Sequence, residues 1–286
     1  MKFNNIKINC SDLPTLMLND TKPLTDKQQE ELDRLSSIAK LTNRQKRIYE
    51  GYLERVDRCQ LNNILTDASK KLLKEVYVKE KYNKSNVSLN KEYSLGLING
   101  TLSETNSLRI VSEFNGIVYK VNKDLVYNRH LKGKLDAYEG TSIKKSTKVI
   151  EIKTATSMQS LVCTLPDKDD FIKKHYWQLM GYLSMTKADL AEIYHVVGNY
   201  HESIIQQTIS RYLYKVKGLA LPKEMIKNNI ESIRNNLTFE EIPVSERIFK
   251  ISAERDEEKI KMISEKVKAA RSYLKEFQEI HLSMNL

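Results

Sequence analysis

The sequence predicts an α/β fold: a central mixed sheet of about five strands flanked by helices, with an N-terminal helical arm and a C-terminal helix. Three observations carry that expectation. Short apolar segments with period-two alternation occupy the middle of the chain, residues 149–154 and 189–197 among them. Longer stretches with apolar residues every three or four positions lie on both sides of them. The 286 residues, 40% hydrophobic, are enough for one sizeable domain with helical additions.

In chain order, residues 6–20 read as a short extended piece and then a helix start at Ser11-Asp12-Leu13-Pro14, with Ser11 as N-cap. From Thr25 to Lys81 few breakers interrupt a helical pattern. Leu32, Leu35, Ile38, Ala39 and Leu41 make one apolar stripe, Leu61, Ile64, Leu65, Ala68 and Leu72 another, and Gly51 is the expected divider. Arg44, Lys46, Arg47, Arg55 and Arg58 cluster there, which suits either a nucleic-acid-facing arm or a solvated helix surface. Residues 83–92 read as a polar loop and 91–113 as a helix delivering Glu104 to the core. Gly116 starts the sheet. Strands are predicted over 117–121, 132–138 and 149–154, the last two joined through the turn Glu139-Gly140 and a basic tip at Lys144-Lys145. An irregular connection is expected over 154–168, a helix over 169–185 and a buried strand over 189–197. Mostly helical chain follows over 200–236, then a strand segment over 238–251 that breaks at Pro243. The closing helix, 254–281, has Ile260, Ile263, Val267, Ala270, Leu274 and Phe277 on one face.

A net charge of +10 implies an anionic partner, nucleic acid being the commonest for a basic protein, while a general abundance of lysine explains the charge equally well. No run reaches the apolar length of a membrane-spanning helix, and the start lacks the apolar core of a signal peptide, so a cytoplasmic protein is expected. Cys10, Cys59 and Cys163 are odd in number and far apart, which fits reduced thiols and excludes a four-cysteine iron–sulfur cluster within one chain. His195 and His201 are too loosely spaced for a helical metal pair and read as packing or surface residues.

Chemistry concentrates between Lys132 and Tyr182. Strand alternation puts Val149, Glu151 and Lys153 on one face, with Ile150 and Ile152 on the other. In the preceding candidate strand Lys134, Asp136 and Tyr138 face one way, so Asp136 and Glu151 converge if the strands are neighbours. Hard cations take such oxygens. Phosphodiester hydrolysis needs neutralised non-bridging oxygens, an activated water and a stabilised leaving oxygen, which one or two Mg2+ or Mn2+ ions supply. The main-chain carbonyl of Ile152 offers a third oxygen, and Lys153 an amine to orient water or offset developing charge. Glu-x-Lys alone is a weak signal, since Glu257-Glu258-Lys259 has the same spacing in a predicted solvated helix. Order and context strengthen it: Gly133-x-x-Asp136, then Glu151-x-Lys153 on an apolar strand, then Gln178-x-x-x-Tyr182 on a helix.

This order resembles the PD-(D/E)xK nuclease superfamily, and most closely its lambda-exonuclease or YqaJ-like branch of viral and bacterial recombination exonucleases. The resemblance covers roughly the first four fifths of the chain. Asp136 matches the family's metal-ligand aspartate, with Leu135 where a proline is usual; Glu151 and Lys153 match its Glu-x-Lys pair, and Gln178 its helical glutamine, with Tyr182 one turn beyond. Glu104 looks like the helical glutamate that completes the acidic cluster. Ser11 stands where the family contacts a terminal phosphate of DNA. Lys134 replaces a small polar residue near the phosphate, Gln159 stands where a basic one is usual, and Ser157 and Ser160 fall where the family places groups near DNA.

The resemblance implies a restriction-endonuclease-like core over residues 91–200, an N-terminal arm over 1–90 and a C-terminal extension over 201–286, together one continuous domain. It further implies a Mg2+-dependent exodeoxyribonuclease, with Mn2+ able to substitute, acting 5′ to 3′ on double-stranded DNA ends in phage-type recombination. A single-strand annealing recombinase and a ring-shaped homotrimer are the implied partners. Two other readings stay open: a structure- or site-specific endonuclease on the same core, and a non-catalytic DNA-binding protein with a nuclease fold.

Overall fold

Threonine caps, rather than Gly51, divide the N-terminal helical stretch in the computed structural model, which describes residues 3–19, 24–60, 64–84, 95–166 and 168–283. Thr25 Oγ1 accepts the Gln28 amide at 3.4 Å while the Gln28 side chain accepts the Thr25 amide at 3.1 Å, a reciprocal cap that starts the helix Asp26–Ser36. Thr42 and Gln45 repeat the arrangement ahead of Asn43–Gln60. Thr66 accepts the Ser69 amide at 3.1 Å to start Asp67–Tyr82. Gly51 lies inside the second helix; a glycine there costs about 1 kcal/mol relative to alanine, too little to end it. Leu61 and residues 85–92 of the expected loop lie outside the described residues.

Strands occur at β1 (Ile8–Asn9), β2 (Lys120–Val121), β3 (Val126–Tyr127), β4 (Leu131–Gly133), β5 (Ala137–Gly140), β6 (Ser146–Thr154), β7 (Leu190–Val196) and β8 (Ile248–Glu254). The chain groups into two units, one of Met1–Ser85, Tyr127–Lys132 and Asp256–Leu286, the other of Asn86–Val126 and Gly133–Arg255. Residues 201–255 thus group with the sheet-bearing segment that precedes them, and the C-terminal helix groups with the N-terminal arm.

In the first unit the helix Glu257–Ser283 buries Ile263, Val267, Ala270 and Leu274, four members of its predicted stripe. Tyr77, 1% exposed, stacks on Phe3 at 5.5 Å and meets Phe277 edge-on at 5.2 Å. The buried Arg271 guanidinium donates to the Ile6 carbonyl at 3.0 and 2.7 Å and to the Arg129 carbonyl at 2.7 Å, fastening the chain on either side of the small sheet β1-β4-β3.

The second unit holds the expected five-stranded mixed sheet, in the order β2-β5-β6-β7-β8. Only β6 and β7 pair in parallel, and parallel neighbours require a crossover, here made through the helices Met158–Thr164 and Lys168–Met185. Register sets Glu151 beside Ile193 and Lys153 beside His195 on one face. The opposite face carries Ile150, Tyr194, Val196 and Ile248, packed with Leu108, Ile110 and Val111 of the helix Glu104–Asn115.

Several expected elements divide. The helix predicted over 91–113 is two, Leu95–Leu102 and Glu104–Asn115, parted at Ser103, whose hydroxyl donates to Asn99 Oδ1 at 3.0 Å. Gly116, at φ 65°, closes the second of these rather than opening the sheet. The connection expected to be irregular contains Met158–Thr164, capped by Ser157 Oγ on the Ser160 amide at 3.1 Å. Gly140 is required where β5 turns into β6: at φ 136° an added Cβ would lie 2.8 Å from the Lys145 carbonyl oxygen. Pro243 precedes a short turn, and β8 begins only at Ile248. Among the described residues no helix is long and apolar enough to cross a membrane.

Candidate active site

Pairing of β5 with β6 runs as far as Ala137 opposite Ile150 and there stops. Continued regularly, the ladder would set Leu135 opposite Ile152. Instead the Ile152 amide donates to Asp136 Oδ2 at 2.6 Å, and the Leu135 carbonyl accepts from Asn122 Nδ2 at 2.9 Å. The strand predicted over 132–138 is therefore broken at Lys134–Asp136. A carboxylate stands where a ladder partner would be.

Glu151 and Lys153 share a face of β6, and Glu151 is only 5% exposed. Its Oε1 accepts both Lys153 Nζ at 2.5 Å and Gln178 Nε2 at 2.8 Å. Its Oε2 is buried with no hydrogen-bond partner among the described residues. Gln178 Nε2 also donates to the Tyr182 hydroxyl at 2.9 Å, and that hydroxyl donates to the Lys134 carbonyl at 3.3 Å. The helix Lys168–Met185 is thereby tied both to the glutamate and to the segment that presents Asp136. Tyr182, for which a DNA contact is expected, is 3% exposed, and its hydroxyl accepts from Gln178 and donates to the Lys134 backbone.

Asp136 lines a cavity of about 180 Å³ with Glu104, Ile152, Lys134 and Lys123. Burial pushes the Asp136 carboxyl up to about 7, the Glu151 charge adding to it, against the Ile152 amide and Lys153; Glu104 adds a smaller push upward. Glu104 is the first residue of its helix and half-buried. Among the described residues no three His, Cys, Asp or Glu side chains converge closely enough to hold a metal by themselves. A site built here needs Asp136 and Glu151 supplemented by a main-chain carbonyl such as that of Ile152. The residues fit a hard cation: one buried carboxylate oxygen lacks a partner, and a second carboxyl is burdened by the negative charge beside it.

Ser11 is corrected as an N-cap. It lies in the 3-10 turn Cys10–Asp12, the cap of the four-residue helix Leu13–Leu16 is Asp12, and Asp12 Oδ2 accepts from Asn9 at 2.8 Å. Ser11 is exposed and belongs to the first unit, whereas Asp136, Glu151, Ile152, Lys153, Gln178, Tyr182, Lys134 and Glu104 all belong to the second. Gln159 is exposed on the helix that Ser157 caps. His195 is 8% exposed between Phe171, stacked at 5.0 Å, and Phe249 at 5.3 Å, and burial lowers its pKa to about 4. His201 caps the helix Glu202–Val216 by accepting the Ser203 amide. Cys10 is buried, Cys163 is exposed, and neither is in a disulfide.

Sequence reasoning missed Asn122. Its side chain accepts the Asp124 amide at 3.0 Å and donates to the Asp124 and Leu135 carbonyls at 2.9 Å each. Asn122-Lys123-Asp124 is an Asx turn, and asparagine two residues before aspartate was the available signal.

No protein-family model matches the sequence, and no curated protein does. The fold is nonetheless that of known exonucleases. A phage-related exonuclease from Haemophilus somnus 129PT superposes with a TM-score of 0.63 at 18% identity, over 97% of each chain. An alkaline exonuclease from Laribacter hongkongensis superposes with a TM-score of 0.50 at 13% identity, over 79% of this chain and 91% of that one. The likeness is one of fold, and it agrees with the resemblance carried by the motifs.

Proposed function

We propose that this protein is a Mg2+-dependent deoxyribonuclease that degrades linear double-stranded DNA from an end, 5′ to 3′, in phage-type recombination, with an annealing recombinase as consumer of the single strand. One observation carries the reading. On an exonuclease fold, Glu151 is held by Lys153 and Gln178 through one oxygen, its other oxygen is left unpartnered, and Asp136 is fixed one strand away. A bound Mg2+ or Mn2+ would neutralise phosphate oxygens and lower the pKa of an attacking water. Asp136, Glu151 and the Ile152 carbonyl would hold that ion, with Glu104 adding negative charge at the same cavity. Lys153, fixed beside Glu151 and about one-third exposed, orients the water and offsets charge developing on the phosphate. Gln178 keeps the Glu151 carboxylate in its rotamer, and Tyr182 keeps Gln178 in place.

Digestion of end-labelled linear duplex with Mg2+ and with EDTA tests this. Cleavage in Mg2+ alone, sparing covalently closed circles, is expected; cleaved circles would assign an endonuclease, and no cleavage would leave a binding protein. Ends bearing a 5′-phosphate are expected to be degraded faster than 5′-hydroxyl ends, and Ser11→Ala tests whether that serine contributes. An unchanged preference in the variant would free Ser11 of the role.

A further inference from the structure

We infer that Lys123 is a substrate-binding residue, contacting a phosphate of the strand held in the Asp136 cavity alongside Lys134. This inference rests on the nuclease reading above and adds a residue that the motifs do not contain. Lys123 lines the same cavity as Glu104, Asp136, Ile152 and Lys134. Both lysines are exposed, and neither forms an ion pair with a described residue, although two carboxylates line the cavity with them. A lysine serving only to neutralise Asp136 or Glu104 would sit within ion-pair distance of one of them. These amines are instead left for a ligand that brings its own negative charge.

The loop bearing Lys123 is also built to hold it there. Asn122 is 4% exposed and its side chain makes three hydrogen bonds, to the Asp124 amide, the Asp124 carbonyl and the Leu135 carbonyl. Its amide donates to the Asp136 carbonyl at 2.9 Å. The turn that presents Lys123 is thus fastened to the backbone of the two residues that follow Lys134. Fixing the backbone in the free protein reduces the ordering cost left for binding. Among the described residues β2 is an edge strand of the five-stranded sheet, and the loop that bears Lys123 follows it.

The test uses the full chain. Duplex binding is measured by fluorescence anisotropy across a salt series in a Glu151→Gln background, and steady-state cleavage is measured in the parent background. Lys123→Ala is expected to weaken binding several-fold and to make the slope of log affinity against log salt shallower by about one. KM should carry the larger part of the loss in cleavage, and Lys123→Arg should restore most of it. An unchanged salt slope and KM in a protein that still cleaves would overturn the role of Lys123 and leave the nuclease reading intact. A lower thermal stability with an unchanged slope would likewise overturn it, assigning Lys123 to the loop. A parent chain that neither cuts nor binds duplex would overturn both.

Discussion

Glu151 and Glu192 are buried glutamates on adjacent strands of one sheet, and the protein completes one and not the other. Glu192, 2% exposed on the face opposite Glu151, has both oxygens satisfied: Oε2 accepts the Tyr194 hydroxyl at 2.6 Å and lies 3.4 Å from Lys148, while Oε1 accepts Lys250 at 3.2 Å. Burial pushes its pKa up, yet the Tyr194 hydroxyl and the two lysines outweigh burial and hold the carboxyl below its ordinary range. Glu151 has one oxygen shared between two donors and the other bare. A buried carboxylate finished by its own chain is part of the scaffold. One left short, beside a second carboxyl, is what the proposed metal site rests on.

The comparison can be broken most decisively by removing each carboxylate. Glu151→Gln or Asp136→Ala is expected to lower cleavage by several orders of magnitude while duplex binding persists, because most affinity comes from basic groups on phosphates. Retained cleavage on end-labelled duplex would contradict the site. Lys153→Ala should lower turnover comparably yet leave Mn2+ binding detectable by titration; lost Mn2+ binding would make Lys153 structural instead.

Glu192→Ala should do the reverse. It removes the carboxylate shared by Lys148, Lys250 and the Tyr194 hydroxyl, leaving Lys148 only Glu139, and should cost about 3 kcal/mol of stability in urea unfolding, with the activity of the folded fraction preserved. Mg2+ then separates the two glutamates more finely. At ten times its Kd the ion should stabilise the parent and the Glu192 variant by about 1.4 kcal/mol. It should leave the melting temperature of Glu151→Gln almost unmoved, and an equal shift in all three would place the ion elsewhere.

The smallest effect is a gain. Asp136 has its folded pKa raised from 3.8 to about 7, so its protonated form is the one the fold favours, and whatever stability it contributes is lost as pH climbs through that window. Asp136→Asn does not titrate and can still accept from the Ile152 amide. Without metal it should melt above the parent at pH 7, with the gap closing toward pH 4. A gap independent of pH would mean that the carboxyl is not under this strain.

The sheet and its two covering helices were legible because burial on both faces of β6 and β7 imposes long apolar segments, and the pairing of Glu151 with Lys153 follows from alternation alone. What was not legible depended on side chains replacing backbone. Nothing in the spacing of Leu135 and Asp136 announces that Asn122 and a carboxylate take over the ladder there. Apolar periodicity also runs through Thr42 and Thr66, so helix ends set by local caps disappear into one long pattern. Thr25-x-x-Gln28 and Thr42-x-x-Gln45 were readable as caps in the sequence. Tyr182 is legible as one turn beyond Gln178 on the same helix, but how deeply it is buried depends on what Gln178 and Lys134 do around it.

The clasp made by Arg271 also sets an order of events during synthesis. Ile6 and Arg129 accept from a guanidinium that the ribosome adds long after both of them. Every residue of the second unit has been joined to the chain by then, since that unit ends at Arg255. Domains fold as units while the chain emerges, so the sheet bearing Asp136 and Glu151 can close while β1 still lacks its anchor. The part of the molecule translated first is therefore the part completed last: a nascent chain halted before residue 271 already has β1 and its ladder partner β4, but not the guanidinium that fastens the carbonyls of Ile6 and Arg129.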